Sequence, residues 1–192
     1  MPIDPGTTQP LFLSQLAANG LVGPGTPAFA TGLATGFYQY LTTSIGVHSI
    51  DVGTLGVGTG IGVGLLLPES AILEVLEPML SGFGILGQKT PDMANAIAAG
   101  ISISLGAAIV QTANPTVGIG SGKVQLIPEG TGATTFVEAF SAAGMLGSKS
   151  ESLASAVGTS LDALIALTLG VIVIVGTPSI VPSTGFGTGV IQ

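Results

Sequence analysis

The chain contains no cysteine, no tryptophan and no arginine, and very little charge of either sign. Without cysteine it has no disulfides, no thiolate metal ligands and no cysteine nucleophile, and it is compatible with either redox compartment. Its only cationic side chains are Lys89, Lys123 and Lys149, set against ten carboxylates for a net charge of −7. That balance argues against direct nucleic-acid binding, which needs cations to neutralise phosphates, and against docking on anionic lipid. A single histidine, His48, excludes a histidine cluster for a metal within one chain. Charged residues make up 7% of the 192, against about 25% in typical soluble domains. Spread over the roughly 8,000 Å² expected of a folded monomer of this mass, that is about one charge per 600 Å². Such a surface is expected to be covered, by lipid or by protein.

What the chain does have is glycine, 31 residues of it, arranged in a repeat. Leu16-Ala-Ala-Asn-Gly20-Leu-Val-Gly23, followed by Thr26-Pro27, Ala30, Gly36 and Leu41, recurs sixty-four residues later. The second copy reads Leu80-Ser-Gly-Phe-Gly84-Ile-Leu-Gly87, then Thr90-Pro91, Ala94, Gly100 and Leu105. The third, after a further sixty residues, reads Phe140-Ser-Ala-Ala-Gly144-Met-Leu-Gly147, then Lys149-Ser150, Ala154 and Ala156. Each copy ends in a second signature: Gly56-Val-Gly-Thr-Gly60, Gly118-Ile-Gly-Ser-Gly122 and Gly185-Phe-Gly-Thr-Gly189. Two ordered signatures recurring three times define a unit of about sixty residues.

Each unit reads as helix, tight turn, helix, then an extended glycine-rich segment. In the second copy the apolar spacing predicts a helix over 70–83, with Ile72, Leu73, Leu76, Met79 and Leu80 on one face. Gly84 reads as a left-handed C-terminal cap, and Thr90-Pro91 as an N-cap with proline at the first helical position. A second helix is expected over 91–110, and in the third copy Ser150 is the expected cap with Glu151 in the first turn. The small residues Ala94, Ala96, Ala98, Ala99 and Gly100 predict close helix contact, with the three second helices packing together. Extended segments are expected over 45–67, 112–127 and 171–191. The expected organisation is an N-terminal arm over 1–10, held extended by Pro2, Pro5 and Pro10, then repeats over 11–68, 69–128 and 129–192. The expected fold class is α+β: three tandem helix-turn-helix-strand repeats in one body, either pseudo-threefold or a short linear array, the compact form preferred.

The residues that could carry chemistry do not stand in patterns that would support it. The Gly-x-Gly-x-Gly runs lack a following helix N-terminus, and Gly122-Lys123 continues to Val124, not to Ser or Thr, so they read as structural strands, not nucleotide loops. His48, near Asp51, reads as a lone polar residue at a strand edge. Glu74 and Glu77, at helical i, i+3 spacing, read as a solvated helix face, and Glu69 and Glu129 as matching positions of the repeat. No catalytic, cofactor-binding or metal-ligating residue is expected, and the chain is not expected to be an enzyme.

A mean hydropathy of +0.76 makes a membrane protein the main rival reading. Its best segment, residues 163–175, is short of the ~20 apolar residues a spanning helix needs, and no cation flanks it. The N-terminus has neither a basic region nor an apolar core, so no signal peptide is expected. A sugar-binding module is a third reading, weakened by the lack of tryptophan and by only two tyrosines. The alternation of Thr-Pro…Ala…Gly helices with Gly-Thr-Gly segments, centred on residues 80–122 and their counterparts, resembles glycine-rich virion structural proteins of large tailed bacteriophages. That resemblance implies a capsid- or tail-associated building block, located in the virion after assembly in the host cytoplasm. The implied partners are copies of itself and other structural proteins, with no small-molecule substrate and no cofactor; a membrane location is the alternative.

Overall fold

The protein is described by a computed structural model over residues 4–44, 46–54, 57–65, 69–107, 109–114, 119–128, 130–167, 169–176 and 183–191, with side chains for 4–39, 69–107, 128 and 130–167. The helices are α1 (Pro5–Ala18), α2 (Thr26–Ser44), α3 (Glu69–Gly82), α4 (Thr90–Ala107), α5 (Gly132–Ala142) and α6 (Ser148–Leu167). The expected α+β body of helix-turn-helix-strand units is overturned: the packed core among the described side chains is all-helical, built by these six helices with no strand residue in it. The extended segments also differ from expectation, because each holds two strands and not one. These are β1 (Gly46–Thr54) and β2 (Val57–Leu65), β3 (Ile109–Asn114) and β4 (Ile119–Ile127), β5 (Leu169–Gly176) and β6 (Ser183–Ile191). Strands usually run three to ten residues, so a segment of about twenty has length for two. At the level of the backbone, successive strands pair antiparallel and β6 returns to β1.

The N-terminal residues are not the extended arm that their prolines suggest. Asp4 is an N-cap whose Oδ1 accepts hydrogen bonds from the N–H groups of Gly6, at 2.8 Å, and Thr7, at 3.1 Å. The Asp4 N–H in turn donates to Thr7 Oγ1, completing a capping box. Pro5 takes the first helical position, where its missing N–H costs nothing. Residues 5–10 are therefore the first turns of α1, tied to α2 by a 2.6 Å bond from Gln9 Nε2 to Thr31 Oγ1. Pro2 lies outside the described residues.

The turn between the paired helices opens in the same way in all three units. Gly20, Gly84 and Gly144 have φ of 71°, 78° and 72°, a conformation that side-chain-bearing residues rarely adopt. The next residue folds back in each case, Leu21 N–H donating to Leu16 O, Ile85 to Leu80 O and Met145 to Phe140 O, all at 2.9 Å. With the glycine N–H groups donating to Ala17, Ser81 and Ser141, these are three Schellman motifs. The starts of the second helices lie slightly earlier than expected. Thr26 and Thr90 are already helical, and the Thr26 hydroxyl donates backwards to Leu21 O instead of capping. In the third unit the helix starts at Ser148, before Ser150, with the Glu151 N–H donating to Gly147 O.

Consecutive helices pack side by side and α6 returns to α1, closing a ring of six. The second helices, expected to pack together, have first helices as their main neighbours instead: α2 sits between α1 and α3, α4 between α3 and α5, and α6 between α5 and α1. In addition α4 and α6 touch, and Phe29, Met93 and Leu153 of the three line one pit. The core repeats with the sequence: Phe12, Leu76 and Phe136 are equivalent and buried, as are Leu16, Leu80 and Phe140, and Leu33, Ile97 and Val157. Each such side chain contributes about 1.5–3 kcal/mol by leaving water. Phe12 also meets Phe37 with ring centroids 5.3 Å apart.

Small residues on the second helices let the neighbouring helix approach. A Cβ on Gly36 would touch Leu76 at 3.5 Å, and one on the equivalent Gly100 would strike the Phe136 ring at 2.8 Å. The third equivalent is Ser160, fully buried, whose hydroxyl donates to Ala156 O at 2.7 Å. The tightest approach is backbone to backbone, where a Cβ on Gly158 would lie 2.3 Å from Gly132 O. Gly158→Ala is therefore expected to lose at least about 2 kcal/mol in urea denaturation, since neither helix backbone can yield alone. Gly82→Ala, with nothing within 4 Å of its added Cβ, should be neutral or gain up to about 1 kcal/mol. Equal losses at the two positions would show that the approach of α5 to α6 is not tight.

Candidate functional site

The residues singled out from the sequence do not converge. Glu74 and Glu77 are exposed on α3, and Glu69 opens that helix at the surface. Glu129 lies outside the described residues. His48 and Asp51 lie in β1, where the backbone of His48 pairs with Val63 on one side and Thr188 on the other, so the strand is not the edge expected for it. Gly122 and Lys123 lie inside β4, paired with Ile172 and Val171 of β5, and not at the entrance to a helix. Among the described residues no group of three or more His, Cys, Asp or Glu could hold a metal ion. Nor, among them, is any helix long and apolar enough to cross a membrane.

The site that does stand out is the end of the helix ring where the three Schellman turns lie. Antiparallel helices in a closed ring bring all three turns to the same end, away from the strands. In each turn the glycine is followed by two apolar residues with opposite fates. The first, Leu21, Ile85 or Met145, turns inward and packs on the core. The second, Val22, Leu86 or Leu146, points into solvent and is 78%, 76% and 75% exposed respectively. Two of the inward residues, Leu21 and Ile85, help to line a shallow apolar pit of about 250 Å³ bounded also by Phe29, Met93 and Leu153, so that all three units contribute to it. The pit therefore lies where the units converge, beside the turns that carry Val22 and Leu86.

Charge is distributed unevenly with respect to this end. Lys89 and Lys149 both stand at it, at equivalent positions, and so do Asp92 and Glu151 in the first turns of α4 and α6. Lys89 Nζ pairs with Asp92 Oδ2 at 2.7 Å. Lys149 Nζ donates to Gly20 O at 3.3 Å, joining the third unit to the first. The remaining carboxylates of the helical body, Asp4, Glu69, Glu74, Glu77, Glu138 and Asp162, have no lysine among the described helices to balance them.

A second concavity, about 420 Å³, runs along α4 and α5 between Ala96, Ala99, Ala139 and Ala143, with Glu138 and Asn95 on its walls. It exists because Ala143 stands where the preceding unit has Phe83, whose ring lies 3.3 Å from a Cβ built on Gly32. Glu69 and Thr135 also line it, so that its polar groups are two carboxylates, an amide and a hydroxyl, with no histidine or lysine among the lining residues.

Asp162 is a partly buried carboxyl whose ionisation is perturbed by its surroundings. Its Oδ2 accepts the Gly132 N–H at 2.9 Å, so a carboxylate thirty residues away caps α5, for which Thr131 supplies no side-chain cap. Burial raises its pKa above the ordinary 3.8, and the Gly132 hydrogen bond opposes that rise. A raised acid pKa means that the folded state holds its proton more tightly than the unfolded chain. The stability contribution is therefore full below pH 3.8 and is lost as pH rises through the raised folded value. Asp162→Asn, which keeps an acceptor, should flatten stability against pH between 3.8 and the raised folded value; Asp162→Ala, which strands a buried N–H, should cost about 1–2 kcal/mol in urea denaturation. An unchanged pH profile in the asparagine variant would show that the carboxyl is not perturbed.

No family model matches the chain, and comparison with curated proteins and with solved structures likewise found no match.

Proposed function

We propose that this chain is a structural assembly subunit, acting through protein–protein interfaces and without catalysis. The observation that carries this reading is the set of three equivalent aliphatic side chains, Val22, Leu86 and Leu146, held in solvent at the end of the helix ring that also holds an apolar pit. A Schellman turn uses a hydrophobic residue after its glycine to contact the helix it ends, and Leu21, Ile85 and Met145 meet that need. Nothing in the turn requires the following residue to be apolar as well. Three such residues at one end, on a chain with 7% charge, fit a surface that another protein covers.

The composition and the resemblance to glycine-rich phage structural proteins favour a virion as the assembly, in a capsid- or tail-associated position. Its neighbours would then be copies of itself and other structural proteins. The test is the mass of the purified chain in detergent-free buffer, by light scattering over rising concentration. A defined oligomer or filament is expected. A chain that remains monomeric at every concentration would overturn the reading, and a requirement for detergent would replace it with the membrane alternative.

A further inference from the structure

We infer that the turn-bearing end of the helix ring is a self-association surface, on which two copies meet end to end across a twofold axis. The inference rests on the assembly reading above and names the partner for that site. Three independent features support a second copy of this chain as the occupant.

The first is charge. Two copies of a chain with net charge −7 repel one another, and the helical body away from this end carries six carboxylates with no lysine among its described residues. At the turn-bearing end Lys89 and Lys149 balance Asp92 and Glu151, so the local sum is zero. The flank of α1 and α2 carries only Asp4, so the turn-bearing end is distinguished by holding both signs: each copy presents Lys89 and Lys149 together with Asp92 and Glu151 there. A partner selected for positive charge would instead fit the acidic flanks, and an anionic lipid surface would find no excess of cations.

The second feature is shape. A twofold contact must be self-complementary, each residue meeting its counterpart's neighbour in the other copy. Three projections separated by three gaps satisfy this when one copy is turned by about 60° relative to the other, because each projection then enters a gap. Val22, Leu86 and Leu146 of one copy would lie between those of the second, over two facing pits. The third is size. Six helices about 9 Å apart around a ring give an end face of roughly 600 Å² in projection, near the ~800 Å² per partner of standard interfaces.

The experiment uses the full chain. Sedimentation equilibrium of the wild type is compared with the triple variant Val22→Ser, Leu86→Ser, Leu146→Ser, whose fold is checked by thermal melting. We expect a dimer that the triple variant weakens about a hundredfold or more, since three central aliphatic contacts are removed. The absence of native cysteine allows a second readout: a thiol reagent should label Leu86→Cys more slowly as concentration rises and the dimer forms, and should label Glu74→Cys on the acidic flank at an unchanged rate. A dimer that persists in the triple variant, or that protects only Glu74→Cys, overturns this surface but leaves the assembly reading standing. A monomeric wild type overturns both. Binding to neutral vesicles that the triple variant abolishes, with no dimer in solution, assigns the face to lipid and overturns the inference.

Discussion

The close approach of each second helix to the first helix of the following unit is the constraint on which the rest depends. It is set by what side chains leave out. Gly36 makes room for Leu76, and Gly100 makes room for Phe136. Ser160 holds the same place in the third unit, folding its hydroxyl onto its own helix. A larger residue at these positions would push neighbouring helices apart, and six helices at wider spacing would not close around a filled centre. With the ring closed, the core positions of all three units meet in one cluster, and the three turns are carried to one end. The apolar end face is thus a consequence of small residues buried well away from it.

Within the ring the units are similar but not identical. The third has its own device, in which Gly132 and Gly158 bring two backbones together and Asp162 reaches across to cap the helix that begins there. The corresponding positions in the second unit, Ile72 and Ala98, are both buried side chains packed in the ordinary way. Phe83 fills the groove between α2 and α3, and Ala143 leaves the corresponding groove between α4 and α5 open. Each boundary therefore has a distinct fit, so that a unit fits one place in the order better than another.

Much of the helical part was legible in the sequence because its signals are local. Gly84 at the end of an apolar-periodic run marks a left-handed cap, and its equivalents Gly20 and Gly144 behave alike. The signature that revealed the repeat also contained Val22, Leu86 and Leu146. Their exposure was not legible, since nothing local separates an apolar residue that turns inward from the next, which does not. Three prolines within ten residues favour an extended arm, yet Asp4-Pro5 starts a helix, because aspartate caps the free N–H groups and proline suits the first helical position. The pairing of two strands within each extended segment, the return of α6 to α1 and the contact of Gly132 with Gly158 all join residues far apart in the chain. Periodicity carries no information about such partners. Asp162 as a distant cap is of the same kind, invisible until α5 and α6 are placed side by side.

The return of α6 to α1 also changes what it means for this protein to be a repeat. In an open array the terminal units have one neighbour each, need polar caps, and can fray or be lost singly. Here every αα pair has a neighbour on both sides, and no helix pair is terminal. Removing one would uncover two apolar flanks at once, so partial unfolding has no inexpensive first step. The three units, though they read in sequence as separable modules, are cooperative in the strict sense: they stand or melt together.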